Sequence, residues 1–306
     1  MKYFKTKASR MATRYEITPE VFNKVTKHQH PFEQINPDKT IAQYGICPSC
    51  LNPIQLIGVA KKVKTMPYGK HTGKDVPGLP PWSLIKYRYC PFSIKGARRE
   101  INDDEILPEI TEDVIELYEL LKNNFDRVVY VISKELDIRC TKNFWEAALQ
   151  QFIKNEAYCY PWLTEANLPY IFVYHGMRHR NVYGQGFLVG SEIYESLKKH
   201  KNITFEPFGN AGNYMSLTNK DSYLNLQFRF TGHKQKAVTG EELKESMLFC
   251  IDDLLSGTTV KTIYQKKIEF NETYFMNIIK KYGSEGKRQQ YLLDIAKRNM
   301  PPLQQE

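Results

Sequence analysis

Hydrophobic and polar residues alternate along the chain with two different periods, and each period predicts one kind of element. Apolar residues at helical spacing, most of them behind a capping hydroxyl, predict helices over 18–27, 111–121, 141–154, 191–199, 239–254, 272–282 and 287–298. Short apolar or alternating runs predict strands over 51–59, 87–92, 127–133, 170–174, 203–205, 213–217, 223–230 and 259–270. Because crossover and hairpin spacings both occur, the pattern predicts an α+β fold built on a mixed sheet.

A charged linker over residues 94–110, ending near Pro108, separates two predicted parts of the chain. Before it we expect a mobile basic arm and the first helix in residues 1–43, and a small loop-rich basic module in 44–100. After it we expect one larger α+β domain over 110–306 that ends in two helices. A chain of 306 residues exceeds the usual size of a single core, which favours this division.

The formal net charge of +9 is distributed unevenly. Residues 1–100 carry a net charge of +12, residues 101–200 carry −6 and residues 201–306 carry +3. Within 39–99 there are 11 Lys and Arg and a single acid, Asp75. Such asymmetry favours a polyanionic partner such as nucleic acid. The alternatives are an ordinary solvated surface, or a basic domain that docks on the acidic one.

Three of the six cysteines lie in the basic module. Cys47 and Cys50 are spaced so that one turn, shaped by Pro48, can direct both thiolates at one ion, and Cys90 follows forty residues later. His71, in a glycine-flanked loop, is the candidate for the fourth ligand. The competing histidines are His28 and His30.

The knuckle, the strand expected after it and the returning half-knuckle at Cys90 resemble a zinc ribbon over residues 44–93, although Ser93 stands where a standard ribbon has another cysteine. A closed set of three cysteines and one histidine implies a structural zinc that holds the fold and does not activate water. Two alternatives remain from the residues alone. The cysteines can be reduced core thiols, or Cys47 and Cys50 can be a redox pair.

The remaining cysteines, Cys140, Cys159 and Cys250, are isolated and do not form a disulfide framework, which favours a reducing cytoplasm. No apolar run reaches the length of a membrane span, and no apolar core follows the charged first residues, so we expect neither a membrane segment nor a secretory signal.

The larger domain offers weaker candidates. His175 and His179 are predicted to lie in a cationic surface loop, and Asp252 with Asp253 on the solvated end of a helix. Glu135 follows an expected buried strand but has no matching acid upstream. An enzyme acting on nucleic acid or nucleotides, with its site near Glu135, His175 and Asp252, is therefore one alternative function. A protein-interaction adaptor with a protein partner is another.

The leading hypothesis is a zinc-stabilised, basic, cytoplasmic protein that binds nucleic acid. Backbone phosphates attract Lys and Arg regardless of sequence, and aromatic residues beside cations suit stacking on unpaired bases. The expected phosphate contacts are Lys61, Lys62, Lys64, Lys70, Lys74, Arg88, Arg98 and Arg99.

Overall fold

The protein is an α+β protein, as predicted. The computed structural model describes all residues except 11, 37, 61–65, 94–101, 103, 201–202, 210–211, 219–224, 239–241, 256–258, 272, 283–286 and 304–306. The chain divides into two compact units. The first unit comprises Met1–Ile101 with Gln235–Glu245, and the second comprises Asn102–Lys234 with Ser246–Glu306.

The first unit contains a four-stranded antiparallel sheet in the order β3-β4-β5-β6 and a separate pair, β1-β2. Its elements are β1 (Tyr3–Phe4), β2 (Tyr15–Glu16), α1 (Pro19–Thr26), β3 (Glu33–Ile35), β4 (Ile41–Ile46), β5 (Pro53–Ile57), β6 (Tyr68–His71) and α2 (Leu84–Arg88). The predicted first helix is confirmed, because Thr18 Oγ1 accepts a hydrogen bond from Val21 N and Pro19 opens the first turn.

The N-terminal segment differs from the expected mobile arm. Lys5 and Ile46 exchange two backbone hydrogen bonds, and Gly69 N donates to Met1 O at 2.8 Å. Phe4 is fully buried in the same apolar cluster as the three cysteines of this unit. The first residues are rich in positive charge, which led to the prediction of a mobile arm. Burial of the Phe4 side chain attaches the segment to the sheet instead.

The prediction of a strand over 87–92 is wrong. Ser83 Oγ accepts a hydrogen bond from Lys86 N and starts the short helix α2, so Cys90 follows a helix instead of ending a strand. The alternation of aromatic and charged residues in this stretch imitates a strand, but the capping serine decides the local structure.

The second unit contains an antiparallel sheet in the order β7-β8-β10-β9 and most of a second one in the order β11-β12-β13, of which the end of β11 and the start of β12 fall within Gln235–Glu245 of the first unit. The strand pairings among its described residues are antiparallel, where the sequence predicted a mixed sheet. Its elements are α3 (Glu112–Asn123), α4 (Phe125–Leu136), β7 (Ile138–Arg139), α5 (Lys142–Lys154), α6 (Leu168–Gly176), β8 (Gly186–Leu188), α7 (Glu192–Lys198), β9 (Thr204–Pro207), β10 (Tyr214–Thr218), β11 (Leu226–Val238), β12 (Glu242–Leu255), β13 (Thr259–Glu269), α8 (Tyr274–Tyr282) and α9 (Gln290–Asn299).

Three elements of this unit contradict the sequence predictions. The runs 127–133 and 170–174, expected as strands, lie inside the helices α4 and α6, and the stretch 239–254, expected as a helix, contains the strand β12. Every residue of α6 is buried, so its sequence lacks the polar face that marks a helix. A short apolar run does not distinguish a buried helix from a buried strand.

The core of the second unit forms where α6 packs against both α4 and α5. Phe172 of α6 lies in ring contact with Phe125 of α4 and with Trp145 and Phe152 of α5. Among the described residues, no helix is both long and apolar enough to cross a bilayer.

Candidate metal centre

The structure brings together the four predicted ligands of the first unit. The ligand atoms of Cys47, Cys50, His71 and Cys90 all lie within 4.8 Å of one another. The Sγ atoms of Cys47 and Cys90 are 3.7 Å apart, and Cys50 Sγ lies 3.2 Å from His71 Nε2. The cluster can therefore hold a metal ion.

A tight turn between β4 and β5 presents the first two sulfurs. Cys47 N donates to Asn52 O at 2.8 Å, and Leu51 N donates back to Cys47 O at 3.1 Å. Leu51 has a φ of 57°, the left-handed conformation that reverses the chain direction within so few residues. Arg10 Nη1 also donates to the carbonyl of Ser49, so the N-terminal segment holds the turn from outside.

His71 occupies the last position of β6, opposite Ile54 of β5, and not a free loop. The next residue, Thr72, donates from its backbone N to Pro53 O at 3.2 Å and extends this pairing. The imidazole lies edge-on to Tyr87, with ring centroids 5.0 Å apart, and to Trp82 at 6.1 Å. Strand pairing thus places the ring, and two aromatic neighbours limit its rotation.

Cys90 follows α2, and the position of this helix depends on one buried amide. Asn52 is 1 % exposed, and its Nδ2 donates to Ser83 O at 2.9 Å. Ser83 N donates back to Asn52 Oδ1 at 2.7 Å. Since Ser83 caps α2, the residue that closes the Cys47–Cys50 turn also fixes the start of the helix that precedes Cys90.

The three thiols share an environment with little water. Cys47, Cys50 and Cys90 are at most 4 % exposed. Burial raises the pKa of Cys50 and of Cys90 well above the usual value. Burial also opposes ionisation of Cys47, but hydrogen bonds from Cys50, Cys90 and His71 outweigh it and lower the pKa of Cys47. A bound cation would allow all three sulfurs to be thiolates at once, and a soft divalent metal is one that thiolates and imidazole bind well.

The competing histidines lie outside this cluster. His28 Nδ1 contacts Glu33 Oε2 at 2.6 Å, and the ring of His30 lies beside Gly78. Ser93, which stands in place of the second ribbon cysteine, is buried and donates from its backbone N to Cys90 O at 2.9 Å. It therefore closes the turn behind Cys90.

Three of the predicted phosphate-binding cations are described, and all are exposed: Lys70, Lys74 and Arg88. Each stands within three residues of a member of the metal cluster in the sequence. None of them forms an ion pair with another described residue. The other five predicted cations, Lys61, Lys62, Lys64, Arg98 and Arg99, lie outside the described residues.

The candidate site residues of the second unit lie in environments that differ from the predicted ones. His175 is the penultimate residue of α6, where it is 6 % exposed, so the surface-loop prediction is wrong for it. Asp252 and Asp253 are buried on β12 and not solvated on a helix. Glu135 lies within α4 and pairs with Lys266 at 3.2 Å.

Asp252 makes its contacts across the three-stranded sheet. It forms an ion pair with Arg229 of β11 and accepts a hydrogen bond from Thr262 Oγ1 of β13 at 2.8 Å. His179 lines a cavity of about 410 Å³ together with these three residues. This arrangement satisfies the buried carboxylate within the sheet, which explains why an acid is tolerated there.

Sequence reasoning missed the residues that support the cluster, above all Asn52, Trp82 and Tyr87. Nothing in the sequence distinguishes a buried Asn from one in an exposed turn. Comparisons with models of protein families, with curated proteins and with solved structures find no match.

Proposed function

We propose that this is a zinc-stabilised basic protein that binds nucleic acid through the surface around its metal cluster. The observation that carries the proposal is the placement of Lys70, Lys74 and Arg88. All three are exposed, and they lie on the segments that supply His71 and Cys90. A metal that fixes those segments would fix the spacing of the cations as well.

The donor set supports zinc. Three sulfurs and one imidazole nitrogen make a complete tetrahedral set, and the three sulfurs are buried, so the set leaves no ligand position for catalysis. The role proposed for the metal is therefore structural. Residues Cys47, Cys50, His71 and Cys90 would hold it, and the zinc would supply the charge that allows buried thiolates to persist.

The composition of the module supports a polyanionic partner. A surface with many cations and a single acid over 39–99 attracts phosphates through charge, and exposed aromatic residues add stacking on unpaired bases. Tyr68, on the same strand as Lys70, is 42 % exposed and can stack in this way.

The experiment measures zinc content and binding to single-stranded DNA and RNA over a series of salt concentrations. We expect one zinc per chain, loss of zinc in Cys90→Ser, and retention in Cys140→Ala, which removes a buried thiol outside the cluster. Affinity should fall steeply with salt, and the logarithmic slope should drop by about 0.7 for each phosphate contact removed.

The charge variants are Lys70→Gln, Lys74→Gln and Arg88→Gln. Lys24→Gln is the matched control, because Lys24 is an exposed cation on α1 of the same unit. Weaker binding in the first three and unchanged binding in the control would support the proposal. Binding that does not respond to salt would contradict it and favour the protein-adaptor alternative. Purified protein without stoichiometric zinc would contradict the proposal of a structural zinc.

A further inference from the structure

The second unit contains a cavity that the proposed function does not use. It has a volume of about 430 Å³ and lies beside α4, α8 and the segment that leads into α9. Its described lining residues are Asp126, Arg127, Tyr130, Tyr274, Asn277, Ile278, Lys281, Lys287 and Gln289. Two aromatic rings, two amides and three cations thus surround one space.

Helical spacing produces this lining. Arg127, Tyr130 and Lys134 follow one another at intervals of three and four along α4, so they share one face. Tyr274 and Lys281 are seven residues apart on α8 and share a face in the same way. The two helices pack against each other, and Lys134 Nζ donates to Tyr274 Oη at 3.3 Å.

An internal ion pair fixes the third wall. Arg288 donates from Nε and Nη2 to the two carboxylate oxygens of Asp126 at 2.7 and 2.8 Å, and Gln289 N donates to the same carboxylate at 3.2 Å. This pair holds Lys287 and Gln289 beside the first turn of α4. It also neutralises Asp126, which is the only acid among the described residues that line the cavity.

The remaining charge of the cavity is positive. Lys281 and Lys287 are exposed, whereas Arg127 is 6 % exposed. Burial and the nearby charge of Arg288 lower the pKa of Arg127 while Asp126 opposes them, and an anion beside this guanidinium would offset the repulsion from Arg288. Three cations around one neutralised carboxylate favour a ligand with a phosphate-like group.

The uncharged part of the lining narrows the ligand class further. Tyr130 lines the cavity and is 48 % exposed, and Tyr274 lines it from the other helix, α8. Aromatic faces suit a planar heterocycle, while the amides of Asn277 and Gln289 can donate to and accept from its edge. We propose that this cavity binds a nucleoside phosphate, either as a free nucleotide or as a unit of a nucleic-acid strand. The inference stands on the second unit alone and does not rest on the function proposed for the metal-bearing unit.

The test is isothermal titration of the full chain with AMP, adenosine, inorganic phosphate and a ten-residue oligodeoxyadenylate. AMP should bind at least roughly tenfold more tightly than adenosine or phosphate, because only AMP uses both halves of the cavity. A preference for the oligonucleotide that persists in Lys70→Gln/Lys74→Gln and is lost in Lys287→Gln would identify a strand as the source of the nucleotide unit. Equal affinity for AMP and the oligonucleotide in Lys70→Gln/Lys74→Gln would identify the free nucleotide.

Two variants locate the binding. Lys287→Gln should weaken AMP binding roughly tenfold, and Tyr130→Ala should weaken it about fivefold or more through lost stacking. Lys297→Gln is the matched control, since Lys297 is an exposed cation on α9 outside the cavity. The double variant Lys70→Gln/Lys74→Gln should bind AMP like the parent, which separates this site from the surface of the metal-bearing unit.

Both test residues are exposed, so the variants should keep the parent's thermal unfolding midpoint. Shifts of the Asn277 and Gln289 side-chain amide resonances on adding AMP give a second readout that needs no variant. Phosphate binding as tight as AMP binding would overturn the inference. Parent-like affinity in Lys287→Gln and Tyr130→Ala, or no binding of any probe, would overturn it as well.

Discussion

The side-chain amide of Asn52 and the backbone of Ser83 form two reciprocal hydrogen bonds, at 2.9 and 2.7 Å, across 31 residues of sequence. One partner closes the turn that holds Cys47 and Cys50, and the other caps the helix that precedes Cys90. The amide therefore couples the positions of the three sulfurs before any ion is bound. A ligand set that is already arranged loses less conformational entropy when the metal enters.

Replacing Asn52 should weaken both the fold of the first unit and its hold on the metal. In Asn52→Ala the backbone N of Ser83 loses its acceptor, while Ser83 O keeps the hydrogen bond from Tyr87 N, and we expect a loss of about 1–3 kcal/mol in the free energy of unfolding. Urea denaturation measures the loss, and competition with a chelator measures zinc affinity. Asn23→Ala, at an exposed position of α1, is the control. Unchanged zinc affinity in Asn52→Ala would show that the amide does not position Cys90.

Gly45 should be intolerant of a side chain. A Cβ added there would lie 2.8 Å from Cδ2 and 3.1 Å from Cβ of Phe4, which is fully buried in the same apolar cluster as the three cysteines. Gly45→Ala should therefore destabilise the first unit by about 1–3 kcal/mol, as overpacking does. Gly212→Ala is the matched control, because an added Cβ meets nothing within 4 Å. Denaturation midpoints of the two variants check this, and equal midpoints would contradict the close packing.

The ion pair of Asp126 and Arg288 should matter more than an exposed pair. Asp126→Asn leaves Arg288 without its carboxylate in a partly buried site, and the expected loss is about 3 kcal/mol in the free energy of unfolding. Glu269→Gln, which breaks the exposed pair with Lys267, should change stability very little. Denaturation of both variants at low and high salt tests this difference. Equal effects would mean that the Asp126 pair is only a surface contact.

His175 should make the second unit sensitive to mild acid. Burial lowers the pKa of this histidine to about 4, with Arg178 and His233 acting in the same direction and Asp104 opposing them. As the pH falls, the His175 imidazole is protonated near pH 6.5 in the unfolded chain but only near pH 4 in the folded protein. The stabilisation is therefore complete above pH 6.5 and is lost as the pH falls toward 4. The loss should approach about 3 kcal/mol.

His175→Phe removes the titrating group and keeps an aromatic ring beside Tyr160 and Tyr174. Its unfolding free energy should therefore fall less between pH 6.5 and 4 than that of the parent, as measured by denaturation across this range. His30→Gln, at an exposed histidine, should follow the parent. A parent-like pH dependence in His175→Phe would contradict the prediction.

Capping chemistry made several helices predictable from sequence. Thr18, Thr141 and Ser191 each accept a hydrogen bond from a backbone N in the first turn of the helix that they precede. The failures occurred where burial removes the pattern. In β12 the inward positions Met247, Phe249 and Ile251 alternate, but the buried Cys250 and the buried aspartates obscure that alternation. Periodicity reports solvent exposure, so it loses its power where both faces of an element are covered.

The metal cluster was more predictable than its surroundings. Cysteine spacing and the position of His71 between glycines selected four side chains that the fold brings together, although His71 ends a strand and does not lie in a loop. The supporting contacts were not predictable, because Asn52 and Ser83 meet only after β5, β6 and the following loop are in place. The cavity between α4 and α8 could not be predicted either. The sequence assigned Arg127 and Tyr130 to a strand, which would place them on opposite faces.

The helix α2 has five residues, and none of them is buried. So short a helix is not stable in isolation. Its attachments include the Ser83 anchor at one end, Cys90 at the other, and the ring contact of Tyr87 with His71, so two of the three involve a metal ligand. Treatment with a chelator should therefore free this segment first, making residues 84–89 the earliest point of protease cleavage and changing the fluorescence of Trp82. Loss of metal would thus detach α2 locally and move Arg88, while the second unit stays folded.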